Sequence, residues 1–422
     1  MASAPRLHRL ANGVTVICDP MDGLESFALA VVAGRGARQE PAEKSGWSHL
    51  LEHMVFKGAA GRTAQQIIEE IELAGGSINA ATGYERTSFQ VRALKGRLEL
   101  GLRACADLVL HPTLDPAELE REKLVVGQEI AESEDTPDDH VFELAQTAAF
   151  AGQPLGRPIL GDPATMRSAE ASTLEAWRAG LYAPDRLVVS ASGAVDEDEL
   201  LALAERFFGA AEGVPAPEPE PGGFAGGLRP TARRLEQAHL VFLLPGPSAR
   251  DRDYYAGRLF VEALGGGMSS RLFQEAREKR GLAYSIDAWG DSYTDVGTVG
   301  IYAGASAANA VELAKVAAGE LRALAEAPKS DELARAKAQV KAGSFMAREA
   351  PLFRAEQAAG QALLFDRLYT PAEIAEGVDQ VTAEDVRRLG ERMLAAKACA
   401  TAVLGPKPAL AAAEEFSRAL FN

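Results

Sequence analysis

The stretch "SHLLEHMVFKG" (residues 48–58) places two histidines and a glutamate within five positions. On a helix, His49 and His53 lie on one face about one turn apart, where both imidazoles can bind a single metal ion. Glu52 lies beside them, where a base must stand to take a proton from a metal-activated water. The order His-x-x-Glu-His therefore predicts a zinc site on a helix. The alternative is an amphipathic helix on which these side chains have no joint role.

A catalytic zinc ion needs a third protein ligand and an open fourth position. The segment "ELEREKLVVGQEIAESED" is predicted to be a helix, and it places Glu122 and Glu129 two turns apart on one face. Glu132 and Glu134 are rival ligands, since Glu132 lies about one turn beyond Glu129. Charge alone does not choose among these carboxylates, which are also ordinary side chains for the surface of an acidic helix.

The elements that must position these residues follow from hydrophobic periodicity. Strands are predicted at residues 13–18, 27–34 and 87–93, and helices at 46–57, 63–74, 94–110 and 116–133. Strands and helices mix without a regular strand–helix–strand alternation. We therefore expect an α+β fold, in which a mainly antiparallel sheet is covered by helices on one face.

The chain has 422 residues, more than one hydrophobic core usually serves. A segment rich in proline and glycine at 213–230 divides it, and the segments 117–129 and 331–343 resemble each other at an offset of 214 residues. Such a long repeat period indicates a duplicated domain. We predict an N-terminal metal-binding domain at 1–212, a linker at 213–230 and a homologous C-terminal domain at 231–422.

Composition limits the classes of partner and compartment. The formal net charge of −16 argues against nucleic acid. Cys18, Cys105 and Cys399 form no CxxC pair, which favours a reducing compartment over a disulfide framework. No segment has the apolar length of a membrane span or of a leader. We expect a cytoplasmic protein without a membrane partner, with a removed leader as the open alternative.

Three segments together resemble a known family: "SHLLEHMVFKG", "GGSINAATGYERTSF" and "EREKLVVGQEI". They are similar to the M16 (pitrilysin/insulinase) zinc peptidases, and most of all to the short bacterial branch related to mitochondrial processing peptidase. The resemblance covers nearly the whole chain. It implies a LuxS/MPP-like metallohydrolase fold in both domains, one Zn²⁺ per chain, and endopeptidase activity on peptides or unfolded segments in an enclosed cleft. The residues that it implies are the ligands His49, His53 and Glu129, the general base Glu52, and the supporting carboxylate Glu122.

The second half lacks this constellation. At the offset of 214 residues, Glu129 falls opposite Gly343 and Glu122 opposite Ala336, and no His-x-x-Glu-His occurs after residue 230. The second domain is therefore expected to share the architecture without the metal site.

The segment "GGGMSSRLFQEAREKRGLAYSIDAWG" (265–290) contains Arg277 and Tyr284, seven residues apart. By themselves they are a helix-surface arginine and a tyrosine at the start of a strand. The family resemblance implies that they hold the substrate or stabilise the transition state, because a phenol and a cation can donate to an oxyanion. The three glycines lack the ending of a phosphate-binding loop, so a nucleotide site is not expected.

The segment "GGSINAATGYERTSF" combines small residues with an asparagine. By itself it is a glycine-marked bend that enters a strand. The resemblance implies an exposed edge strand onto which the substrate adds, which assigns substrate contacts to Asn79, Ala80 and Ala81. Main-chain pairing would allow broad substrate sequences.

The partners are also implied by the resemblance, because chains of this length usually pair in the family. The metal motif and the Arg277/Tyr284 pair occur together here, so we expect a homodimer, with a heterodimer containing an inactive homologue as the alternative. The competing function is a non-catalytic scaffold or binding subunit of such a heterodimer. Sequence does not separate general peptide degradation from the trimming of one precursor.

Overall fold

A computed structural model describes residues 4–214 and 218–422 of the chain. The strands, in chain order, are β1 (Arg6–Arg9), β2 (Thr15–Pro20), β3 (Ser26–Ala33), β4 (Gly58–Ala59), β5 (Arg62–Thr63), β6 (Ser77–Thr82), β7 (Thr87–Leu94), β8 (Leu187–Gly193), β9 (Gly227–Ala232), β10 (Gln237–Gly246), β11 (Ala283–Ser292), β12 (Gly297–Ser306) and β13 (Ala400–Gly405). The helices are α1 (Trp47–Val55), α2 (Ala64–Leu73), α3 (Leu98–Leu110), α4 (Pro116–Asp135), α5 (Pro137–Ala149), α6 (Pro163–Arg167), α7 (Ala171–Leu181), α8 (Glu197–Phe208), α9 (Tyr254–Gly265), α10 (Ala310–Glu326), α11 (Ser330–Ala347), α12 (Pro351–Phe365), α13 (Pro371–Gln380), α14 (Ala383–Ala395) and α15 (Ala412–Phe421).

The chain forms two compact units. Unit 1 consists of residues up to Ile130, Pro158–Pro219 and Phe345–Thr370, and unit 2 consists of Ala131–Arg157, Glu220–Ser344 and Pro371–Asn422. The units therefore differ from the predicted contiguous domains 1–212 and 231–422, because each half of the sequence contributes one segment to the other unit. Of the predicted linker 213–230, residues 215–217 lie outside the described residues, and its last residues belong to β9 rather than to a linker.

Each unit is built on one main sheet, and the five strands of the sheet in unit 2 match five of the six in unit 1, where β1 is an additional edge strand. In unit 1 the order is β1-β2-β8-β3-β7-β6, and in unit 2 it is β9-β13-β10-β12-β11. The pairs β2·β8 and β9·β13 are parallel, and the other neighbouring strands are antiparallel. The expected α+β fold with mainly antiparallel sheets is confirmed. β6 in unit 1 and β11 in unit 2 occupy the same edge position.

The central strand β3 shows why the sheet of unit 1 needs helices on both faces. Phe27, Leu29 and Val31 alternate toward one face, where they join an apolar core that includes residues of α1, α3 and α8. Ala30 and Val32 point to the opposite face and pack with alanines of α12. The expectation of helices on one face is therefore wrong for unit 1.

The helix α12 fits closely against the sheet because its buried positions are alanines at helical spacing, namely Ala355, Ala358, Ala359 and Ala362. In unit 2, α5 occupies the corresponding role and contacts β9, β10 and β13. No described helix is both long and apolar enough to cross a membrane.

The predicted elements of the first half are close to those observed. The predicted helix at 46–57 is α1, and that at 116–133 is α4. Both segments of the predicted repeat are helical, because residues 117–129 lie in α4 and residues 331–343 lie in α11.

Candidate metal centre

Helix α1 is fixed at its first turn by a buried carboxylate. Glu40 is 2% exposed and accepts hydrogen bonds from the backbone N–H groups of Gly46 and Ser48, each at 2.7 Å. These N–H groups have no partner within the helix, so an acidic acceptor here also suits the helix dipole. Gly46 adopts a φ of 87°, and a Cβ there would lie 2.6 Å from the Gly161 backbone. Only glycine fits this position.

The apolar face of α1 determines which side chains are left for chemistry. Leu50, Leu51, Met54 and Val55 are fully buried in the core of unit 1. The same packing leaves His49, Glu52 and His53 partly accessible on the opposite face. The helix is therefore amphipathic and also carries the chemical motif, because the apolar residues and the motif residues lie on different faces.

The structure brings His49, His53 and Glu129 together. One ligand atom from each lies within 4.8 Å of the others. Glu129 Oε2 lies 3.4 Å from His53 Nε2 and 3.8 Å from His49 Nε2. Among the described residues, this group contains neither Glu132 nor Glu134, the rival ligands.

The donor set fits zinc. Tetrahedral zinc with nitrogen and oxygen ligands at about 2.0–2.2 Å places neighbouring ligand atoms about 3.3–3.5 Å apart, and the two distances to Glu129 Oε2, 3.4 and 3.8 Å, lie within or slightly above this range. The Glu129 side chain is 37% exposed, so the group is open to solvent on one side. His49 Nδ1 is buried and has no hydrogen-bond partner in the described chain. Buried polar atoms without a partner are uncommon, and an absent ion or water is one explanation for this one.

The second histidine is held by a chain of charged groups. His53 Nδ1 lies 3.0 Å from Glu122 Oε2, and Lys57 Nζ lies 2.7 Å from Glu122 Oε1. Glu122 is 4% exposed, so its charge needs these partners. A hydrogen on Nδ1 that is donated to Glu122 leaves the Nε2 lone pair directed at the group with Glu129.

The electrostatics favour a neutral first histidine. Burial, with a smaller contribution from His53, lowers the pKa of His49 to about 4. At neutral pH its imidazole therefore keeps a free lone pair, the form in which histidine binds metals. The two rings lie edge to face, with centroids 4.7 Å apart.

Glu52 is held by the neighbouring sheet. Thr82 Oγ1 donates a hydrogen bond to Glu52 Oε2 at 2.5 Å, and the Thr82 backbone N–H also hydrogen bonds the carboxylate. Burial raises the pKa of Glu52 above its usual range, although these hydrogen bonds act in the opposite direction. A raised pKa suits a group that must accept a proton and then release it.

The edge strand β6 has alternating hydrogen-bonding roles. The Gly83 N–H donates to the Arg86 carbonyl at 2.8 Å in the turn to β7. Because hydrogen-bonded and non-hydrogen-bonded pairs alternate along an antiparallel ladder, Ile78, Ala80 and Thr82 turn their backbone groups toward the open edge. Of the predicted substrate contacts, only Ala80 therefore offers main-chain groups there. Asn79 and Ala81 pair with β7 and are exposed through their side chains.

Arg277 and Tyr284 lie together in unit 2. Arg277 belongs to a π-helical segment, Phe273–Lys279, and its guanidinium lies 5.6 Å from the centre of the Tyr284 ring. The pairing of β11 with β12 shifts register between Ala283 and Ser285, so Tyr284 is the extra residue of a bulge. Tyr284 as a whole is 78% exposed. Bulges of this kind redirect a side chain and are frequent beside active sites.

Sequence reasoning missed three residues that position the site: Glu40 at the start of α1, Lys57 beside Glu122, and Thr82 beside Glu52. Glu40 and Lys57 are close in sequence to α1, and a search for charged residues that flank the motif would have found them. Thr82 is 30 residues from Glu52. Sequence gave no signal for this contact.

Fold and donor set together define a class of two-unit α+β proteins with a candidate metal centre in the first unit. Two family models match the chain: "Insulinase (Peptidase family M16)" at residues 21–163, and "Peptidase M16 inactive domain" at residues 168–340. The chain belongs to peptidase family M16.

Relatives extend over nearly the full length of the chain. An "Uncharacterized zinc protease" of Rickettsia felis is 33% identical over 401 residues, which are 95% of this chain and 97% of the relative. The "Uncharacterized zinc protease YmxG" of Bacillus subtilis is 34% identical over 402 residues, 94% of this chain and 97% of that protein.

Solved structures share the fold. A protease from Helicobacter pylori superposes with a TM-score of 0.88 at 20% identity, and covers 96% of this chain and 100% of its own. A structure from Pseudomonas fluorescens, described as a peptidase M16 inactive domain, has a TM-score of 0.87 at 22% identity, with 96% and 98% covered.

Proposed function

We propose that this protein is a zinc-dependent endopeptidase that hydrolyses peptides or unfolded polypeptide segments in an enclosed cleft. The observation that carries the proposal is the convergence of His49, His53 and Glu129 beside Glu52, with ligand atoms within 4.8 Å of one another. The names of the Rickettsia felis and Bacillus subtilis relatives support both the zinc and the protease activity.

In the proposed mechanism, His49, His53 and Glu129 hold one zinc ion per chain. Bound there, zinc would supply Lewis acidity, which lowers the pKa of a coordinated water toward about 7 and polarises a carbonyl. Glu52 accepts the proton of the attacking water and delivers it to the leaving amine. Glu122 and Lys57 keep the His53 ring oriented. The open backbone groups of β6 align the substrate as an added strand, with the side chains of Asn79 and Ala81 next to it.

Arg277 and Tyr284 are proposed to contact the substrate and to stabilise the oxyanion, as the family resemblance implies. The exposure of Tyr284 supports this role, because an exposed phenol has room to donate a hydrogen bond to a ligand.

The decisive experiment compares Glu52→Gln with the wild-type protein. We expect the variant to retain zinc but to lose hydrolysis of a quenched peptide by roughly 10²- to 10⁴-fold, because the amide cannot accept the proton. Zinc is measured by elemental analysis of dialysed protein. Unchanged turnover would remove the base assignment, and a wild-type protein with neither zinc nor hydrolysis would favour the non-catalytic scaffold subunit.

We also propose a homodimer and a cytoplasmic location. Both come from the sequence: the metal motif and the Arg277/Tyr284 pair occur on one chain, and the cysteine pattern is typical of a reducing compartment. Light scattering at micromolar protein tests the first, and a monomer at that concentration would contradict it.

A further inference from the structure

The Glu52 carboxylate receives two hydrogen bonds from one residue of a different element. The hydroxyl and the backbone N–H of Thr82 both contact it, and Thr82 is the last residue of the edge strand β6. The proposed base is therefore attached to the strand on which the substrate is proposed to add. Neither sequence motif reveals this connection.

We propose that Thr82 is a positioning residue: its hydroxyl fixes one oxygen of Glu52 and thereby orients the other oxygen toward the water that attacks the substrate. The inference rests on the proposed function, because it assigns Glu52 the role of base. Thr82 itself touches neither water nor substrate in this account.

The backbone of β6 explains why this position matters. The open edge offers the main-chain groups of Ile78 and Ala80, and the next outward N–H, that of Thr82, is already bonded to Glu52. A peptide that pairs along β6 therefore reaches the base where the available edge ends. The same few residues of β6 determine where the substrate strand pairs and where the Glu52 carboxylate lies. The register of that pairing therefore also determines which peptide bond lies next to Glu52.

The hydroxyl has a physical task that the backbone N–H does not fulfil alone. A glutamate side chain has several rotatable bonds, and an unrestrained carboxylate would sample many orientations. Two donors at fixed positions reduce this freedom before the substrate arrives. Errors of about 1 Å in such groups cost on the order of 100-fold in rate. We therefore expect loss of the Thr82 hydroxyl to lower kcat rather than to weaken substrate binding.

The test uses Thr82→Val, which keeps the β-branched shape but removes the donor, and Thr82→Ser, which keeps the donor but removes a methyl group. The control is Thr298→Val in unit 2, because the Thr298 hydroxyl is buried without a hydrogen-bond partner in the described chain. All proteins are full-length and loaded with zinc. The measurements are kcat and KM on a quenched peptide, zinc content and melting temperature.

We expect Thr82→Val to lower kcat by about 10- to 100-fold, the loss typical of a hydrogen bond to a charged group. KM should stay within about twofold, since the edge groups of Ile78 and Ala80 are unchanged. Thr82→Ser should restore most of kcat, and zinc content should not change in either variant. Thr298→Val should match the wild-type protein.

Three outcomes would overturn the inference. Wild-type kcat in Thr82→Val shows that the hydroxyl is not needed. Equal impairment of Thr82→Ser and Thr82→Val assigns the effect to packing. A rise in KM at constant kcat assigns Thr82 to substrate binding.

A second readout needs no catalysis. In crystals of Thr82→Val, we expect the Glu52 carboxylate to leave its wild-type position or to occupy several, and an unchanged single conformer would contradict the inference. If Thr82→Val does not fold, Thr82→Ala is used in both assays. Failure of the proposed function is recognised separately, because then Glu52→Gln is as active as the wild-type protein or the wild-type protein is inactive, and either result overturns the inference too.

Discussion

The two units have similar sheets, and α4 in unit 1 corresponds to α11 in unit 2. These two helices differ at one buried position. In unit 1, α4 buries Glu122, which contacts His53 and Lys57. In unit 2, α11 places Ala336 at the equivalent position, in an apolar core. Both residues are nearly inaccessible, at 4% and 2% exposure. The same helix position can therefore hold either a buried carboxylate with two polar partners or an alanine packed among apolar side chains.

The difference shows what the proposed metal centre requires of its scaffold. A buried carboxylate costs several kcal/mol unless ionic and hydrogen-bonding partners offset its lost hydration. Unit 1 meets that cost with residues from α1 and from the turn after it. Unit 2 contains two histidines on separate elements: His140 lies on α5 beside Glu143, and His239 lies on β10, where it contacts Tyr302. Architecture alone therefore does not produce the site.

The largest expected effect comes from making unit 1 resemble unit 2 at the proposed ligand. Glu129→Ala should bring zinc content close to zero and hydrolysis to background, because two histidines alone bind zinc weakly. Elemental analysis and the quenched-peptide assay measure both quantities. The control is Glu132→Ala on the same helix, which should keep zinc and activity. Zinc loss in the control, or zinc retention in Glu129→Ala, would assign the third ligand to another residue.

The reverse exchange should damage unit 2. Ala336→Glu buries a carboxylate among apolar neighbours without a cation, so we expect a loss of roughly 3–5 kcal/mol in unfolding free energy. The matched control is Ala338→Glu, because Ala338 is exposed on the same helix. Chemical denaturation compares the two variants. Similar stability in both would mean that the core of unit 2 rearranges to hydrate the carboxylate.

The smallest expected effect concerns the N-terminal capping boxes of α2 in unit 1 and α14 in unit 2. Thr63 and Gln66 form a neutral capping box at α2, while Thr382 and Asp385 form an ionised one at α14. Hydrogen bonds from the Thr382 hydroxyl and backbone lower the pKa of Asp385 to about 2.

Because this pKa is lowered by folding, Asp385 stabilises the native state above its unfolded pKa of about 3.9, and the contribution is lost as pH falls through about 2. The Asp385 side chain is partly exposed, so solvent screening reduces the contribution, and we expect less than about 1 kcal/mol. Asp385→Asn should lower the melting temperature slightly at pH 7 and have no effect near pH 2. A pH-independent difference between the two proteins would assign the effect to the shape of the cap.

How far sequence reasoning reached can be judged from particular elements. The α1 helix and the face that carries His49, Glu52 and His53 were predictable, because a strong apolar stripe and a short chemical motif coincide in the same few residues. The choice of Glu129 over Glu132 needed a family resemblance, since both are glutamates on one helix. Thr82 and the exchanged segments were not predictable. They depend on contacts between residues far apart in the chain, which hydrophobic periodicity does not encode.

The reciprocal placement of α5 and α12 has a consequence for the integrity of the chain. Residues 137–149 cover the sheet of unit 2, and residues 351–365 cover the sheet of unit 1. Cleavage of the backbone near residues 218–226 would leave two polypeptides. Each of them would contain a helix that covers the sheet of the other. Separately, each fragment would expose an apolar sheet face to water and tend to aggregate. Each fragment would therefore need the other fragment's helix to cover its own sheet, so the two halves of the chain depend on each other for folding.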